Sequence, residues 1–175
     1  SGLMKRWFCI LFLLALNVQA KTTVDAPIVN VMFAPQDNVQ GEIARQLSLA
    51  KKLVLVQAYL LTDNKISDAL IAAHKRGVRV QVLMDAERER TSSGSDARRL
   101  SDAGILVRLE TQYENAHNKI ILIDNKTLIT GSYNFTYTAQ HKNAENVLFI
   151  QKAPQLLRRY ADNGKGNYKT AGAFK

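Results

Sequence analysis

The sequence is poor in thiols and in clustered metal ligands. Its one cysteine, Cys9, lies in an apolar segment near the N-terminus, so the rest of the chain offers no thiol. Disulfide bonds, thiolate metal sites and a cysteine nucleophile are therefore excluded beyond that segment. The histidines and carboxylates also show no second cluster with metal-ligand spacing, and we expect no metal and no other cofactor.

No apolar run in the sequence is long enough to span a bilayer. Residues 7–16 form an apolar segment of about ten residues, whereas a membrane-spanning helix needs about 20. The basic pair Lys5-Arg6 precedes this segment and Val18-Gln19-Ala20 follows it, which is the pattern of a secretory signal peptide. We expect residues 1–20 to be a short cloning remnant plus this signal, and the protein to be periplasmic or secreted in bacteria. An uncleaved N-terminal anchor is the alternative.

Positive charge is in clear excess. The chain has 24 Lys and Arg against 15 Asp and Glu, a formal charge of +9, which falls by two to +7 without Lys5 and Arg6. Such an excess favours a polyanionic partner, either nucleic acid or an anionic membrane surface. No helix-turn-helix or zinc-finger pattern is present, so nothing in the sequence indicates recognition of particular bases.

The hydrophobic pattern predicts one α/β domain. Short β-branched runs alternate with helical segments between residues 28 and 84, in the order β-α-β-α-β with short links. We therefore expect a mixed, largely parallel sheet sandwiched between helices, within a domain of residues 21–162. Residues 85–94 are polar and predict an exposed loop. The last helix is predicted to end at Tyr160, and the Gly-, Lys- and Asn-rich residues 163–175 are predicted to be disordered.

One stretch combines several reactive side chains at regular spacing. It reads H-x-K-x4-D and then G-S-x-N, at His117, Lys119, Asp124, Gly131, Ser132 and Asn134. The apolar run 120–123 predicts a strand, on which His117 and Lys119 share one face. A second strand at 127–130, after a turn at 125–126, brings Ser132 and Asn134 alongside. An imidazole, an ammonium, a hydroxyl and a carboxamide together suit a phosphate ester.

With Glu145-Asn146 downstream, these residues resemble the phospholipase D superfamily. They are most similar to its small exported bacterial endonucleases of the Nuc type, which carry one motif copy per chain. The resemblance extends over residues 29–150. It implies a phospholipase D-like fold, a phosphohistidine intermediate without a metal, and a homodimer that places one His117 from each subunit in a shared site. The chain departs from such relatives at Asn163-Gly164-Lys165-Gly166, where they continue a longer helix.

The resemblance implies three catalytic residues. His117 attacks phosphorus, and its counterpart in the second subunit protonates the leaving oxygen. Lys119 holds the non-bridging phosphate oxygens and counters their charge. Glu145 accepts a hydrogen bond from the far ring nitrogen of His117 and orients the imidazole.

The remaining motif residues have supporting roles in the same resemblance. Asn134 binds phosphate oxygens together with Lys119, and Ser132 donates to phosphate or to a neighbouring side chain. Asp124 is structural and fixes the loop beside the motif, and Gly131 is structural next to the site.

The sequence therefore predicts an exported, metal-independent phosphodiesterase that cleaves DNA, and RNA as a second substrate, without sequence preference. Two alternatives remain open. One is a phospholipase D acting on lipid head groups, against which the chain shows no apolar membrane-docking helix. The other is a non-catalytic DNA-binding or conjugation accessory protein, although binding alone would not need Glu145 behind His117.

Overall fold

The computed structural model describes residues 25–175, so the predicted signal peptide lies outside the described residues. The strands are β1 (Ile28–Ala34), β2 (Leu53–Ala58), β3 (Arg79–Asp85), β4 (Leu106–Glu110), β5 (Lys119–Ile123), β6 (Thr127–Gly131), β7 (Glu145–Gln151) and β8 (Gly172–Ala173). The helices are α1 (Val39–Ser48), α2 (Asn64–Lys75), α3 (Ala86–Thr91), α4 (Ala97–Asp102), α5 (Tyr137–His141) and α6 (Pro154–Thr170).

These strands form one mixed sheet in the order β1-β7-β6-β5-β2-β3-β4-β8. The predicted mixed α/β sheet is confirmed, but its predicted predominance of parallel pairing is wrong. Only β2–β3 and β3–β4 are parallel among the strand pairs of residues 25–175, and the other five pairs are antiparallel. A short turn makes β5 and β6 antiparallel neighbours. The segment 132–144, which contains α5, returns the chain as β7 antiparallel to β6, and β1 pairs with β7 at the far edge.

The turn between β5 and β6 sets the register of the motif. Asp124 and Asn125 both have positive φ, 54° and 53°, and Lys126 N–H donates to Ile123 O at 2.9 Å. Two central residues with positive φ are typical of the type I′ turn that matches the twist of a hairpin. The turn therefore lies one residue earlier than the predicted 125–126.

Strand direction places the reactive residues along one edge of the sheet. Strands β2, β3, β4 and β6 end at this edge, whereas β5 and β7 begin there. The edge therefore carries Asp85 and Glu110 at the ends of parallel strands, Lys119 at the start of β5, and Glu145 at the start of β7. We call it the catalytic edge from here on.

Helices cover both faces of the sheet, because alternate strand residues point to opposite sides. On one face α1, α2 and α4 pack on residues such as Val54, Val56 and Ile121. On the other face α6 packs on Leu55 and Leu122, among others. The predicted sandwich is confirmed.

The polar segment after β3 is helical and not a loop. Asp85 caps α3 by accepting from Arg88 N–H at 2.8 Å, and Arg90 pairs with Glu87 one turn earlier at 2.6 Å. The prediction of a loop at 85–94 is wrong for residues 86–91, because a short surface helix has no buried face to give an apolar period. Residues 92–94 are non-helical, as predicted.

The C-terminal segment is also ordered, which corrects the prediction of disorder for residues 163–175. Helix α6 continues to Thr170, and β8 pairs with β4. Helix α6 continues through Gly164, whose lack of a side chain allows α6 to approach β2. A Cβ at this position would lie 2.7 Å from Leu55 Cδ2. Tyr168 is buried farther along α6, with the Arg108 guanidinium 4.4 Å from its ring centroid.

Replacing Gly164 with leucine is expected to lower the free energy of unfolding by about 1–3 kcal/mol, because the new side chain overpacks the contact between α6 and β2. Gly166→Leu is the matched control, since a Cβ at Gly166 meets nothing within 4 Å. Thermal unfolding of both variants makes the comparison. An equal effect of the two substitutions would contradict the close approach.

Candidate active site

His117 and Lys119 lie together at the catalytic edge. His117 is exposed in the loop before β5, whereas Lys119 is buried, with 7% of its surface exposed. Lys119 Nζ lies 2.7 Å from His117 Nδ1 and donates to His117 O at 2.6 Å. The spacing of two residues thus places a cation directly against the imidazole.

Tyr59, the residue after β2, supports both groups. Its ring centroid lies 4.3 Å from that of His117 and 5.0 Å from Lys119 Nζ. Its hydroxyl accepts from Arg88 Nε and donates to Asn115 Oδ1 at 3.2 Å. Sequence reasoning missed Tyr59, although an aromatic residue with a polar group directly after a central strand was a usable signal.

Asp85 fixes the loop that carries His117. One carboxylate oxygen accepts from Ala116 N–H at 2.7 Å, and the other accepts from Arg88 N–H at 2.8 Å. Asp85 is 2% exposed, so both bonds are shielded from water. The same side chain therefore holds the histidine loop and the first turn of α3, the helix that carries the Arg88 guanidinium to Tyr59.

The electrostatic environment favours neutral His117. Partial desolvation of the His117 ring, which its exposed side chain limits, lowers the pKa of His117, and the Lys119 and Arg88 cations lower it further, against an opposing effect of Asp85. Burial also lowers the pKa of Lys119, and the Glu145 carboxylate opposes that shift. An unprotonated imidazole is the form that can act as a nucleophile, so this environment maintains the reactive form at neutral pH.

Ser132 and Glu145 form a second group. Ser132 Oγ donates to Glu145 Oε2 and accepts from Asn146 N–H at 3.0 Å. Asn143 Nδ2 donates to the other Glu145 oxygen at 3.0 Å. The hydrogen bonds of residues 25–175 thus occupy Glu145 without His117, so the predicted bond between Glu145 and the far ring nitrogen of His117 is not formed within one chain.

The sheet explains this difference. Strand β6 lies between β5 and β7, so the backbones at His117 and Glu145 are about 10 Å apart across two strand spacings. Glu145 turns instead to Ser132 on the neighbouring strand. Its charge still acts on Lys119, and this attraction connects the two groups of the site.

Gly131 and Asn134 flank Ser132 along the chain. A Cβ on Gly131 would lie 2.1 Å from Asn146 O, so only glycine allows β6 and β7 to approach this closely. Asn134 is half-buried, and its Oδ1 has no hydrogen-bond partner within the described part of the chain. The side-chain oxygen of Asn134 thus makes no hydrogen bond in this part of the chain, whereas the Ser132 hydroxyl does.

Asp124 lies at the opposite end of β5 from Lys119. Its carboxylate accepts from the backbone N–H groups of Lys51, Lys52 and Leu53 at 2.8–2.9 Å. Burial acts to raise the pKa of Asp124, but these three donors outweigh it and the pKa lies below its usual value. Asp124 therefore anchors the hairpin to the start of β2 and makes no contact with the catalytic edge.

Replacing Asp124 with alanine is expected to cost roughly 2–4 kcal/mol of stability, because three backbone donors lose a charged acceptor. The folded-state pKa is depressed, so this contribution is complete above the unfolded pKa of about 3.9 and is lost as pH falls through the folded pKa. Urea unfolding measured from pH 7 downward should show that the difference in free energy of unfolding between the variant and the wild type becomes smaller in acid. Asp162→Ala, an exposed site, is the control, and a constant gap would contradict the anchor.

Two further properties concern residues 25–175 as a whole. No helix there combines the length and apolarity needed to cross a bilayer. The same residues contain no group of three or more His, Cys, Asp or Glu side chains placed to hold a metal ion.

Comparison with known proteins gives consistent matches. Residues 43–163 match the family model described as cardiolipin synthase, PLD-like domain. The chain is 40% identical over 135 residues to phospholipase D of Rickettsia typhi, covering 77% of this chain and 65% of that protein. It is also 32% identical over 114 residues to the mitochondrial cardiolipin hydrolase of Chlamydomonas reinhardtii, covering 65% of this chain and half of that protein.

The fold matches a solved structure over almost the full length of that structure. The crystal structure of Nuc from Salmonella typhimurium, a phospholipase D family member, superposes with a TM-score of 0.80 at 32% identity. The match covers 86% of this chain and 99% of that one. Together with the family model, it confirms the fold that the H-x-K motif predicts. The chain belongs to the phospholipase D superfamily, as a single-domain member of the Nuc type.

Proposed function

We propose that this protein is a metal-independent phosphodiesterase that cleaves DNA, and RNA as a second substrate, without sequence preference. The observation that carries the proposal is the placement of Lys119 Nζ 2.7 Å from the exposed His117 ring, on a fold that Nuc shares over its whole length. The net charge of +9 supports a polyanionic substrate, because phosphate contacts dominate non-specific nucleic-acid binding.

The proposed reaction proceeds in two steps at His117. A ring nitrogen attacks phosphorus, and the P–N bond forms as the P–O bond to the leaving oxygen breaks. Lys119 and Asn134 bind the non-bridging oxygens, with Ser132 nearby, and stabilise their charge in the transition state. A second imidazole gives its proton to the leaving oxygen, then takes one from the water that hydrolyses the phosphohistidine.

A second copy of the chain would supply that second imidazole. The sequence has three histidines; His74 lies in the last turn of α2, and the His141 ring packs against Tyr137 at 4.2 Å between centroids. Two His117 residues facing each other across a two-fold axis would complete the site. We therefore propose a homodimer, testable by sedimentation.

An exposed apolar strip on β1 supports this homodimer. Val29, Val31 and Phe33 are 50–55% exposed on the face of the sheet that α6 covers elsewhere. Phe33 pairs with Asn146, next to Glu145 at the catalytic edge. Contiguous exposed apolar side chains mark contact surfaces, and this strip leads towards the proposed shared site.

Replacing Arg88 with glutamine is expected to shift the acid limb of kcat/KM to higher pH. The Arg88 cation lowers the pKa of His117, so its removal raises that pKa and protonates the nucleophile at higher pH. Rates on bis(p-nitrophenyl) phosphate, measured between about pH 4.5 and 8, give the shift. This range extends about two pH units to either side of the pKa of an unperturbed histidine. Arg90→Gln on the same helix is the control; an unmoved acid limb in Arg88→Gln would contradict the effect.

A lipid substrate is the second candidate, favoured by the names of the relatives. Both phospholipase D of R. typhi and the algal cardiolipin hydrolase are named for lipid cleavage. The chain spans about two thirds of the rickettsial protein and half of the algal one. A non-catalytic DNA-binding accessory protein is the third possibility.

Purified protein in excess EDTA would be offered supercoiled plasmid, single-stranded DNA, RNA and cardiolipin vesicles. Cleavage of the nucleic acids alone supports the proposal, whereas cleavage of cardiolipin alone supports the lipid enzyme. DNA binding without any turnover supports the accessory protein. Export, proposed from residues 5–20, is checked by fractionating cells that express the full chain and sequencing the N-terminus of the product.

A further inference from the structure

A polar crevice lies beside His117 and is not used by the proposed reaction. It has a volume of about 280 Å³ and occupies the catalytic edge at the ends of the parallel strands β2, β3 and β4. Its lining includes Gln57, Glu110, Tyr113, His117, Asn163 and Asn167. The ends of parallel strands are a frequent position for ligand crevices in α/β sheets.

Two buried polar atoms of opposite character have no partner in this crevice. Gln57 Oε1 accepts from Asn118 and Asn167 at 3.5 and 3.4 Å, but Gln57 Nε2 has no acceptor within the described residues. Glu110 Oε1 accepts from Gln112 N–H at 2.8 Å, whereas Glu110 Oε2 has no donor there. Gln57 is 3% exposed and Glu110 is 2% exposed.

Buried groups of this kind rarely stay unpaired. An unsatisfied buried donor or acceptor costs about 1–3 kcal/mol, and native proteins contain few of them. An N–H donor and a carboxylate oxygen without partners, on two residues that line one crevice, complement a ligand that offers both an acceptor and a donor. An apolar lipid chain would leave both atoms unpaired, and the Glu110 carboxylate would repel a phosphate group.

We propose that the crevice is a nucleobase subsite, which holds the unpaired base next to the phosphate that His117 attacks. This inference rests on the proposed nuclease function. Every nucleobase carries an N–H donor beside an acceptor on its pairing edge; Glu110 Oε2 accepts from the donor and Gln57 Nε2 gives to the acceptor. Tyr113, at 53% exposure, supplies an aromatic ring on which the base can stack.

The subsite predicts a preference for single strands. In a duplex the pairing edge of each base is already occupied, and turning a base out costs a few kcal/mol. All four bases have a donor and an acceptor at this edge, so the subsite selects for an accessible base and only weakly for its identity.

The first test uses the wild-type protein and single-stranded oligonucleotides. Each has a single cleavable phosphodiester, its other linkages being methylphosphonates. One carries natural bases throughout, and two others carry an abasic residue on the 5′ or the 3′ side of the cleavable phosphate. We expect one abasic position to raise KM about tenfold or more, as the loss of a hydrogen bond to a charged group would. The kcat should change much less, because His117 and Lys119 are untouched.

The second test uses isosteric variants of the two crevice residues. Glu110→Gln and Gln57→Glu each invert one hydrogen-bonding atom, and they change the charge of the crevice in opposite directions. Both are expected to raise the ratio of KM for the natural oligonucleotide to KM for the abasic one, a ratio in which the effect of charge on phosphate binding cancels. Glu114→Gln is the matched control, since Glu114 is exposed in the same loop and does not line the crevice. If a variant fails to fold, the abasic comparison on the wild-type protein decides.

The outcomes separate the two proposals. Cleavage with equal KM for natural and both abasic oligonucleotides would overturn the subsite and leave the nuclease function intact. Absence of cleavage of any oligonucleotide by the folded wild-type protein would overturn the nuclease function, and the subsite with it.

Discussion

Replacing His117 with asparagine is expected to lower kcat for phosphodiester cleavage by roughly 10⁴- to 10⁶-fold, the scale seen when a nucleophile or its base is removed. The ring is the exposed group of the site that can form a bond to phosphorus, and asparagine keeps the backbone oxygen to which Lys119 donates. Initial rates in excess EDTA, at equal protein concentration, give the factor.

His74→Asn is the matched control for this experiment. His74 lies in the last turn of α2, where the following strand begins at the opposite end of the sheet from the catalytic edge. Wild-type protein quenched with denaturant at alkaline pH should also carry substrate-derived phosphate that is stable in base and labile in acid, as a phosphoramidate bond to histidine is. A His117→Asn protein that keeps more than a small percentage of the rate would refute the histidine mechanism.

Replacing Lys119 with methionine is expected to lower kcat by roughly 10²- to 10³-fold, the size found when one group that stabilises transition-state charge is removed. Methionine keeps the length and apolar stem of the side chain, so the loss is that of the ammonium. The same change should shift the acid limb of the pH–rate profile to higher pH, because the Lys119 cation lowers the pKa of His117.

The pH shift distinguishes an electrostatic role from general damage to the site. Lys126→Met is the control, because Lys126 is exposed in the hairpin turn at the far end of β5. A loss of rate in Lys119→Met with an unmoved acid limb would show that the ammonium does not set the protonation of His117.

The parts of the site that the sequence predicted depend on neighbours close in the chain. The proximity of His117 and Lys119 follows from their separation of two residues, although His117 lies in the loop before β5 and not on the predicted strand. The hairpin that carries Ser132 follows from a short turn. The side chain that donates to Glu145 could not be predicted, because it depends on the order of β5, β6 and β7 in the sheet. That order is a long-range property with no local signal.

The same limit applies to the two edges of the sheet. The pairing of β1 with β7 joins residues such as Ile28 and Gln151, and a local βαβ pattern does not contain it. On an inner strand, the role of Gly164 depends on Leu55 of β2, which it approaches from a distant part of the chain. A glycine that allows close packing and a glycine that ends a helix look alike until the partner is known.

Asp85 has a consequence for any attempt to move this chemistry to another scaffold. Its carboxylate joins the histidine loop to α3 through Ala116 N–H, 31 positions farther along the chain, and Arg88 N–H. A designer who transplants only the segment from His117 to Asp124 transfers the reactive groups without the carboxylate that holds their loop. The smallest portable unit therefore includes the ends of β2 and β3, with Tyr59 and Asp85, as well as the hairpin itself.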